Sequence, residues 1–435
     1  MNRSIVSMLA ATFVLRVSTA MTGGMLIFFL ADLSIGSVGV SVLSGGFYAT
    51  ELVGAILFGI LADRIGRKVI MLLGPLFGGV AVFMTGLTTL LPVLFVTRLL
   101  EGSSTAASVP STLGFIAVET SQDSGLRSRV VSWFELVSLG GMLAIGPALA
   151  GRLYDSFGRR AFFINVGFYG VSFLLYLYGV SERRSSANRQ AVQEASRPRA
   201  HRTAKEGLRY LKVLTNRRVL RFAPAWLAIN AILGLWAIHG QFLLAGGGIK
   251  DHSQWLMRDW PNSYIGYGAA VLAIFFGLGV LFWGNLFAHA RRTNLLLVGM
   301  GGFVGAVIDV ALINHFGGLS PATPLVLGLV LLVCVFVMSG ATPAALGLLA
   351  DVSEGYQGDR SAIMGLYSVF LGVGQVAGIT IGGFAASWRG IDGLIVATVV
   401  LLAIGLVALL DLRSNEPGPS DEEAGRIRGA APGAL

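Results

Sequence analysis

The stretch Gly59-Ile60-Leu61-Ala62-Asp63-Arg64-Ile65-Gly66-Arg67-Lys68 is a short charged segment that lies between two long apolar runs. Glu51 is the only charged residue in 40–62, and residues 69–97 contain no Asp, Glu, Lys or Arg. A helix needs about 20 apolar residues to cross the hydrocarbon core of a bilayer. The segment therefore predicts a loop between two membrane-spanning helices.

The composition of the whole chain indicates a polytopic membrane protein. The chain has 435 residues, of which 54% are hydrophobic and 13% charged, and its mean hydropathy is +0.74. A water-soluble globule of this size could not bury so much apolar surface. The net charge of +9 does not indicate nucleic-acid binding, because the basic residues lie in short loops between apolar runs. With the single cysteine, Cys334, no intramolecular disulfide forms.

Twelve apolar windows of membrane-spanning length occur along the chain, and lipid requires them to be helices because it offers backbone groups no water. The fold class predicted is all-α, with twelve transmembrane helices in two six-helix bundles at 1–180 and 219–412. A cytoplasmic linker at 181–218, with a surface helix near 205–214, and a disordered tail at 413–435 complete the chain. The windows are 5–31, 40–62, 69–87, 92–118, 130–151, 161–180, 219–246, 263–287, 294–314, 324–349, 362–386 and 391–411.

The distribution of basic residues predicts the orientation in the membrane. With both termini inside, the twelve-helix arrangement places 24 of the 32 Lys and Arg residues in cytoplasmic segments. Cytoplasmic loops of membrane proteins carry such an excess. We therefore expect a multi-pass protein of the plasma (inner) membrane with both termini in the cytoplasm.

An internal repeat supports two related halves, as in transporters built by duplication. At a displacement of 225 residues, Gly59, Leu61 and Arg67 correspond to Gly284, Leu286 and Arg292, but Ala288 replaces the acidic Asp63. At a displacement of 232 residues, three glycines of the fifth predicted span correspond to three of the eleventh. They are Gly140, Gly146 and Gly151, matched by Gly372, Gly378 and Gly383.

The pattern G-x-L-A-D-R-x-G-R-K at 59–68 resembles the signature loop of the major facilitator superfamily of secondary transporters, between the second and third spans. The resemblance implies two six-helix halves that alternate access to a cavity in mid-membrane. It also implies that the loop is a cytoplasmic latch between the halves. The residues that would form the latch are Gly59, Asp63, Arg64, Gly66, Arg67 and Lys68.

The fifth span carries Gly141-x-x-x-x-Gly146-Pro147-x-x-x-Gly151. This resembles the G-x-x-x-x-G-P-x-x-x-G-G motif of many export-type antiporters, with Arg152 in place of the last glycine. Proline removes a backbone donor and bends the helix, while glycines make a flat face against which the other half could move. Generic packing of small residues is the alternative.

Charged residues inside spans are costly, so each is a candidate for function. Arg98 and Glu101 lie three apart on one helical face and resemble the family's fourth-span R-x-x-q-G pattern, which is associated with proton coupling; a structural pair is equally open. Arg16 and Glu51 lie near mid-depth and could pair. Glu51 is the leading candidate for a protonatable carrier, with a permanent ion pair as the alternative; Glu135 is a weaker candidate.

The family resemblance implies a cavity lined by the first, fourth, seventh and tenth spans, with help from the second, fifth, eighth and eleventh. Candidate lining residues are Asn230, Trp236, His239 and Gln241 in the seventh span, and Tyr367 and Gln375 in the eleventh. The second half has almost no intramembrane charge. This scarcity favours a hydrophobic or amphipathic substrate.

No catalytic, cofactor or metal-binding pattern accompanies these features. The chain has no G-x-x-x-x-G-K-[ST] phosphate loop, no metal-ligand spacing of histidine and cysteine and no G-x-S-x-G motif, so we expect a non-enzyme without a cofactor. The sequence resembles the drug:proton antiporter group, which implies a monomer in membrane lipid that exports small molecules in exchange for protons. A lipid or lysolipid transporter and a non-transporting receptor are the alternatives.

Overall fold

The computed structural model describes residues 2–121, 123–181, 217–251, 253–286, 292–354 and 360–414. Most of the predicted linker, including its surface helix, and nearly all of the predicted tail lie outside these ranges. The side chains of Asp63 and Tyr367, and the counterpart loop at 287–291, also lie outside the described part.

Within the described residues the chain forms helices and no strands. We number the membrane-spanning helices in chain order. They are α1 Arg3–Asp32, α2 Ser37–Ile65, α3 Arg67–Leu87, α4 Leu91–Glu119, α5 Ser124–Leu139 continued by a π-helical turn Gly140–Ile145 and by Gly146–Phe157, α6 Ala161–Gly179, α7 Arg217–Leu235 continued by a π-helical turn Trp236–Gly240 and by Gln241–Leu244, α8 Asn262–Leu286, α9 Arg292–Phe316, α10 Ala322–Met338 and Ala341–Glu354, and α11 and α12 as the two parts of Arg360–Ser414.

The helix count agrees with the twelve predicted windows. Nine helical stretches of the described residues are long and apolar enough to cross a membrane; two of them, Gly125–Gly179 and Val369–Ser414, each contain two spans. The stretch that joins α11 to α12 turns at Arg389 and Gly390. The remaining span, α4, carries Arg98, Glu101 and several serines. We call the side of the membrane at which α1 begins the near face, and the side at which it ends the far face.

Local sequence explains where several helices end or bend. Gly66 has φ +110° and ψ 139°, a conformation that side chains disfavour, and it separates α2 from α3. Gly390 has φ +58° at the turn between α11 and α12. In α5, the π-helical turn directly precedes Gly146-Pro147, where proline cannot donate to the helical ladder. The predicted tenth span is broken at Ser339–Gly340.

An arginine–glycine contact occurs in the equivalent place within each half. The Nε atom of Arg67, at the start of α3, lies 2.9 Å from where a Cβ on Gly114 of α4 would stand. In the second half, Arg292 Nε and Gly347 of α10 repeat this arrangement at 2.9 Å. The equivalence of Arg67 and Arg292 is the one that the sequence repeat predicts.

Two of the three glycine pairs that the sequence repeat relates also make equivalent contacts. A Cβ on Gly146 would meet α1, and one on Gly378 would meet the backbone of α7 at Ala231. A Cβ on Gly151 would meet α8, and one on Gly383 would meet α2. Exchanging the halves therefore exchanges these contacts, which places α5 and α11 in equivalent positions.

Buried apolar side chains join the halves at the far face. One cluster includes most of the buried face of α1, such as Met21 and Phe28, and continues into Phe242 and Ile265 of the second half. A second cluster, around Trp226, lies within the second half. The far-face ends of the two halves thus share a core.

Candidate transport site

The charged side chains of the first half lie around one intramembrane region. Arg16 lies on α1 and Glu51 on α2, and both side chains are partly exposed. The positive charge of Arg16 acts on the Glu51 carboxylate. Within the described part of the chain no direct ion pair joins them, so the expectation of a contact pair is replaced by a longer-range interaction.

Arg98 and Glu101 of α4 form the ion pair that their spacing predicts. The two side chains are only 5% and 1% exposed. The Arg98 guanidinium also lies over the Phe47 ring of α2, 5.8 Å from its centroid. Gly102 permits this approach of the helices, since a Cβ there would meet the Phe47 carbonyl. Removing one partner of a buried ion pair leaves an uncompensated charge and is strongly destabilising, so each of the two residues requires the other.

Tyrosines from α6 reach the same region, and the sequence did not identify them. The Tyr176 hydroxyl is 2.9 Å from Thr12 Oγ1 of α1, and the Tyr169 hydroxyl is 3.4 Å from Thr19 Oγ1. The charge of Arg16 acts on both hydroxyls. The family resemblance did not include the sixth span among those that line the cavity. The seven-residue spacing, which puts both tyrosines on one helical face, was the available signal.

Tyr169 occupies its position because α3 carries a glycine opposite it. A Cβ on Gly78 would collide with the Tyr169 ring. The charge of Arg98 also acts on this hydroxyl, so Tyr169 lies between the fields of the two arginines. Another tyrosine, Tyr48 of α2, lies in the fields of both Glu51 and Arg98. The region therefore combines a carboxylate, a buried ion pair and several hydroxyls.

Two of the predicted cavity residues are buried in helix packing instead. Asn230 is 1% exposed; its Nδ2 donates to the Trp226 carbonyl at 2.8 Å, and Gly374 of α11 packs against its Cβ. His239 is fully buried, with Nε2 3.0 Å from Ser41 Oγ and 2.9 Å from the Ile379 carbonyl. Neither side chain lines an open surface, because α7 and α11 approach closely where glycines replace larger residues.

Three further cavity candidates, in the part of the chain whose side chains are described, are more accessible. Trp236 is partly exposed, and its Nε1 donates to Thr398 Oγ1 of α12 at 2.9 Å. Gln241 and Gln375 are also partly exposed. Gln241 Nε2 donates to Ala237 O at 2.9 Å within its own helix. Glu135 of α5, the weaker coupling candidate, has an exposed side chain.

The glycine and proline residues of the α5 motif pack against two different helices, α1 and α8. A Cβ on Gly141 would lie 3.2 Å from Arg16 Cβ, and one on Gly146 would meet Ala20, so both glycines pack against α1 within the first half. Gly151 meets Asn262 of α8, and the Pro147 carbonyl abuts Gly266 of the same helix. Gly151 and Pro147 therefore lie against α8 of the other half, whereas Gly141 and Gly146 pack against α1.

Polar contacts close the far face between the halves. Asp155 of α5 accepts hydrogen bonds from Asn262 N at 3.1 Å, Asn262 Nδ2 at 2.9 Å and Ser263 N at 2.7 Å. These donors are at the N-terminus of α8, where backbone N–H groups lack helical partners. On the other side of the boundary, Ser41 Oγ donates to Ile379 O at 2.8 Å.

The 59–68 segment is helical except at Gly66, so the predicted loop is a tight break between α2 and α3, and its residues make contacts within the first half. Lys68 Nζ donates to the Leu177 carbonyl at 2.7 Å, near the end of α6, and Arg67 lies against Gly114 of α4. Arg64 is exposed in the last turn of α2, where a cation complements the helix dipole. A Cβ on Gly59 would stand at an ordinary 3.6 Å from Pro110, so no unusually close approach requires this glycine.

Comparisons with known proteins agree with this architecture. The model of the Major Facilitator Superfamily matches residues 8–358 and, in a second match, 252–432. Multidrug resistance protein 1 of Bacillus subtilis (strain 168) is 24% identical over 374 residues, which cover 81% of this chain and 82% of that protein. The uncharacterized MFS-type transporter YwoD of the same organism is 33% identical over 140 residues, covering 32% and 30% of the two chains.

Solved structures show the same fold. The crystal structure of the nucleoside transporter NupG aligns with a TM-score of 0.74 over 95% of this chain and 99% of NupG, at 14% sequence identity. A mutant form of NupG aligns with a TM-score of 0.71. At such low identity the likeness concerns the fold alone. Together with the family match over most of the chain, these findings show that the protein is a multi-pass membrane transporter of the major facilitator superfamily.

Proposed function

We propose that the chain exports hydrophobic or amphipathic small molecules in exchange for protons, by alternating access between its two six-helix halves. The 24% identity with a multidrug resistance protein over most of both chains supports this substrate class. The scarcity of intramembrane charge in the second half supports it as well. The near face is then the cytoplasmic face of the plasma membrane, in agreement with the excess of Lys and Arg there.

The observation that carries the proposal is the environment of Glu51. Glu51 lies in the middle of α2 and interacts with the charge of Arg16, and among the described residues no ion pair holds its carboxylate. Arg98 and Glu101, by contrast, neutralise each other in a fully buried pair. An intramembrane carboxylate that no ion pair fixes in its charged form is suited to exchange protons. We assign Glu51 as the proton carrier and the Arg98–Glu101 pair as its fixed support.

The closed far face supports an inward-facing conformation. Asp155 and Ser41 connect the halves at that end. In this conformation Glu51 would exchange protons with the cytoplasm. Opening the far face would then expose the carrier and the substrate to the outside.

Proteoliposomes with an imposed pH gradient test this function. We expect the wild type to accumulate a lipophilic cationic dye, ethidium, when the gradient is applied, and Glu51→Gln to lose this accumulation while it still binds the dye. Glu119→Gln is a matched control, because Glu119 is at the end of α4 and accepts a hydrogen bond from Asn2. Accumulation that persists in Glu51→Gln would refute the assignment.

The same vesicles distinguish the alternatives. Movement of a fluorescent lysolipid between leaflets, without dependence on the pH gradient and without dye accumulation, would favour a lipid transporter. Absence of any flux with intact ligand binding would favour a receptor.

A further inference from the structure

A second region with unexplained chemistry lies between α9 and α10, away from the charged residues of the first half. Three glycines of α9 face α10: a Cβ on Gly299 would stand 2.9 Å from Ala341 Cβ, one on Gly302 would meet Met338, and one on Gly305 would stand 2.9 Å from Cys334 Sγ. The two helices therefore pack closely as far as Cys334.

A buried carboxylate follows directly after this crossing. Asp309 is four residues beyond Gly305, so it lies one turn nearer the far face on the same side of α9. It lies on the face of α9 that carries the three glycines, and its charge acts on Cys334 of α10. Asp309 is 2% exposed, and in the described part of the chain neither of its carboxylate oxygens has a hydrogen-bond partner. Burial of a carboxylate without a partner is costly, so the structure contains an acceptor that lacks a donor.

An apolar cleft begins about one helical turn beyond Asp309, on the side of the far face. The cleft has a volume of about 470 Å³ and is lined by Leu312, Phe316, Ser320, Ala322, Thr323, Val326 and Leu327. Leu312 and Phe316 are three and seven residues beyond Asp309 and share its helical face. Phe316 is 49% exposed and Val326 57% exposed, so the cleft opens toward lipid.

We propose that this groove between α9 and α10 binds a lipophilic amine from the membrane, with the ammonium at Asp309 and the apolar tail in the cleft. An ammonium supplies both the missing donor and the missing counter-charge, whereas a neutral lipid supplies neither. Asp309 is buried and is not part of the lining of the cleft, so binding includes a rearrangement of the surrounding side chains that admits the ammonium. The site is separate from Glu51 and does not depend on the proposed export activity.

Cys334 provides a reporter for this site, since it is the only cysteine of the chain and lies beside Gly305. In phosphatidylcholine proteoliposomes, the rate of its reaction with N-ethylmaleimide is measured at increasing concentrations of dodecylamine or of dodecanol. The amine should slow the reaction at about a tenfold lower concentration than the alcohol, as one charge-assisted hydrogen bond would produce. Vesicles that contain phosphatidylethanolamine would show whether a lipid headgroup supplies the same ammonium.

Variants test whether the charge of Asp309, and not only the shape of the groove, determines binding. Asp309→Asn should abolish the difference between amine and alcohol, while Asp259→Asn, on an exposed loop, should preserve it. Equal protection by amine and alcohol in the wild type would overturn the proposal without any variant. So would a difference that persists in Asp309→Asn.

Discussion

Asp155 reaches across the boundary between the halves, and its removal gives a quantitative test of how the far face is held closed. The carboxylate accepts three hydrogen bonds from the first residues of α8, the shortest from Ser263 N at 2.7 Å. Removing such a cap from a helix N-terminus typically costs about 1 kcal/mol. Asp155 is exposed to solvent, so we do not expect a larger value. Asp155→Ala should therefore shift the conformational equilibrium about fivefold toward the state with an open far face.

Distances between spin labels measure this shift. In a Cys334→Ala background, labels at positions 156 and 253 report the separation of the two halves at the far face, and Asp155→Ala should increase the population of long distances about fivefold. Asp123→Ala is the matched control. Asp123 accepts a hydrogen bond from Leu126 N at 2.8 Å at the start of α5 and thus caps a helix of its own half. An unchanged distribution in Asp155→Ala, or an equal shift in Asp123→Ala, would refute this reasoning.

Two further predictions concern stability. Gly66→Ala should lower the free energy of unfolding by about 1–3 kcal/mol, because φ is +110° at this position. Gly23→Ala is the control and should not destabilise, since no atom lies within 4 Å of its added Cβ. Thermal denaturation in detergent compares the two variants, and equal midpoints would contradict the predicted backbone strain. Gln254 is 1% exposed and accepts a hydrogen bond from Asp392 N at 3.1 Å, so Gln254→Leu should cost about 1–3 kcal/mol. Gln241→Leu, which removes only a bond within one helix, should cost less, and the reverse order would contradict the prediction.

The sequence predicted the helices and the charged pair on α4 because both depend on local spacing. Apolar windows of membrane length identify spans regardless of how the spans pack. Arg98 and Glu101 pair because residues three apart share a helical face. The equivalence of Arg67 and Arg292 could also be predicted from the sequence, because duplication preserves the contacts within each half.

Features that depend on packing between distant segments could not be predicted from the sequence. The burial of Asn230 and His239 results from the close approach of α7 and α11, and the inward position of Tyr169 depends on a missing side chain at Gly78. The π-helical turn at Trp236–Gly240 contains no proline that would have indicated it in the sequence. The sequence of each helix contains the residues, but the partner that each residue meets is set by the arrangement of the other helices.

Proton release during substrate binding tests the central claim most directly. In weakly buffered detergent solution, addition of ethidium to the wild type should release protons, because in an antiporter the binding of substrate displaces the proton that Glu51 carries. Glu51→Gln should bind ethidium without proton release, and Glu119→Gln should behave as the wild type. Proton release of unchanged size in Glu51→Gln would contradict the account.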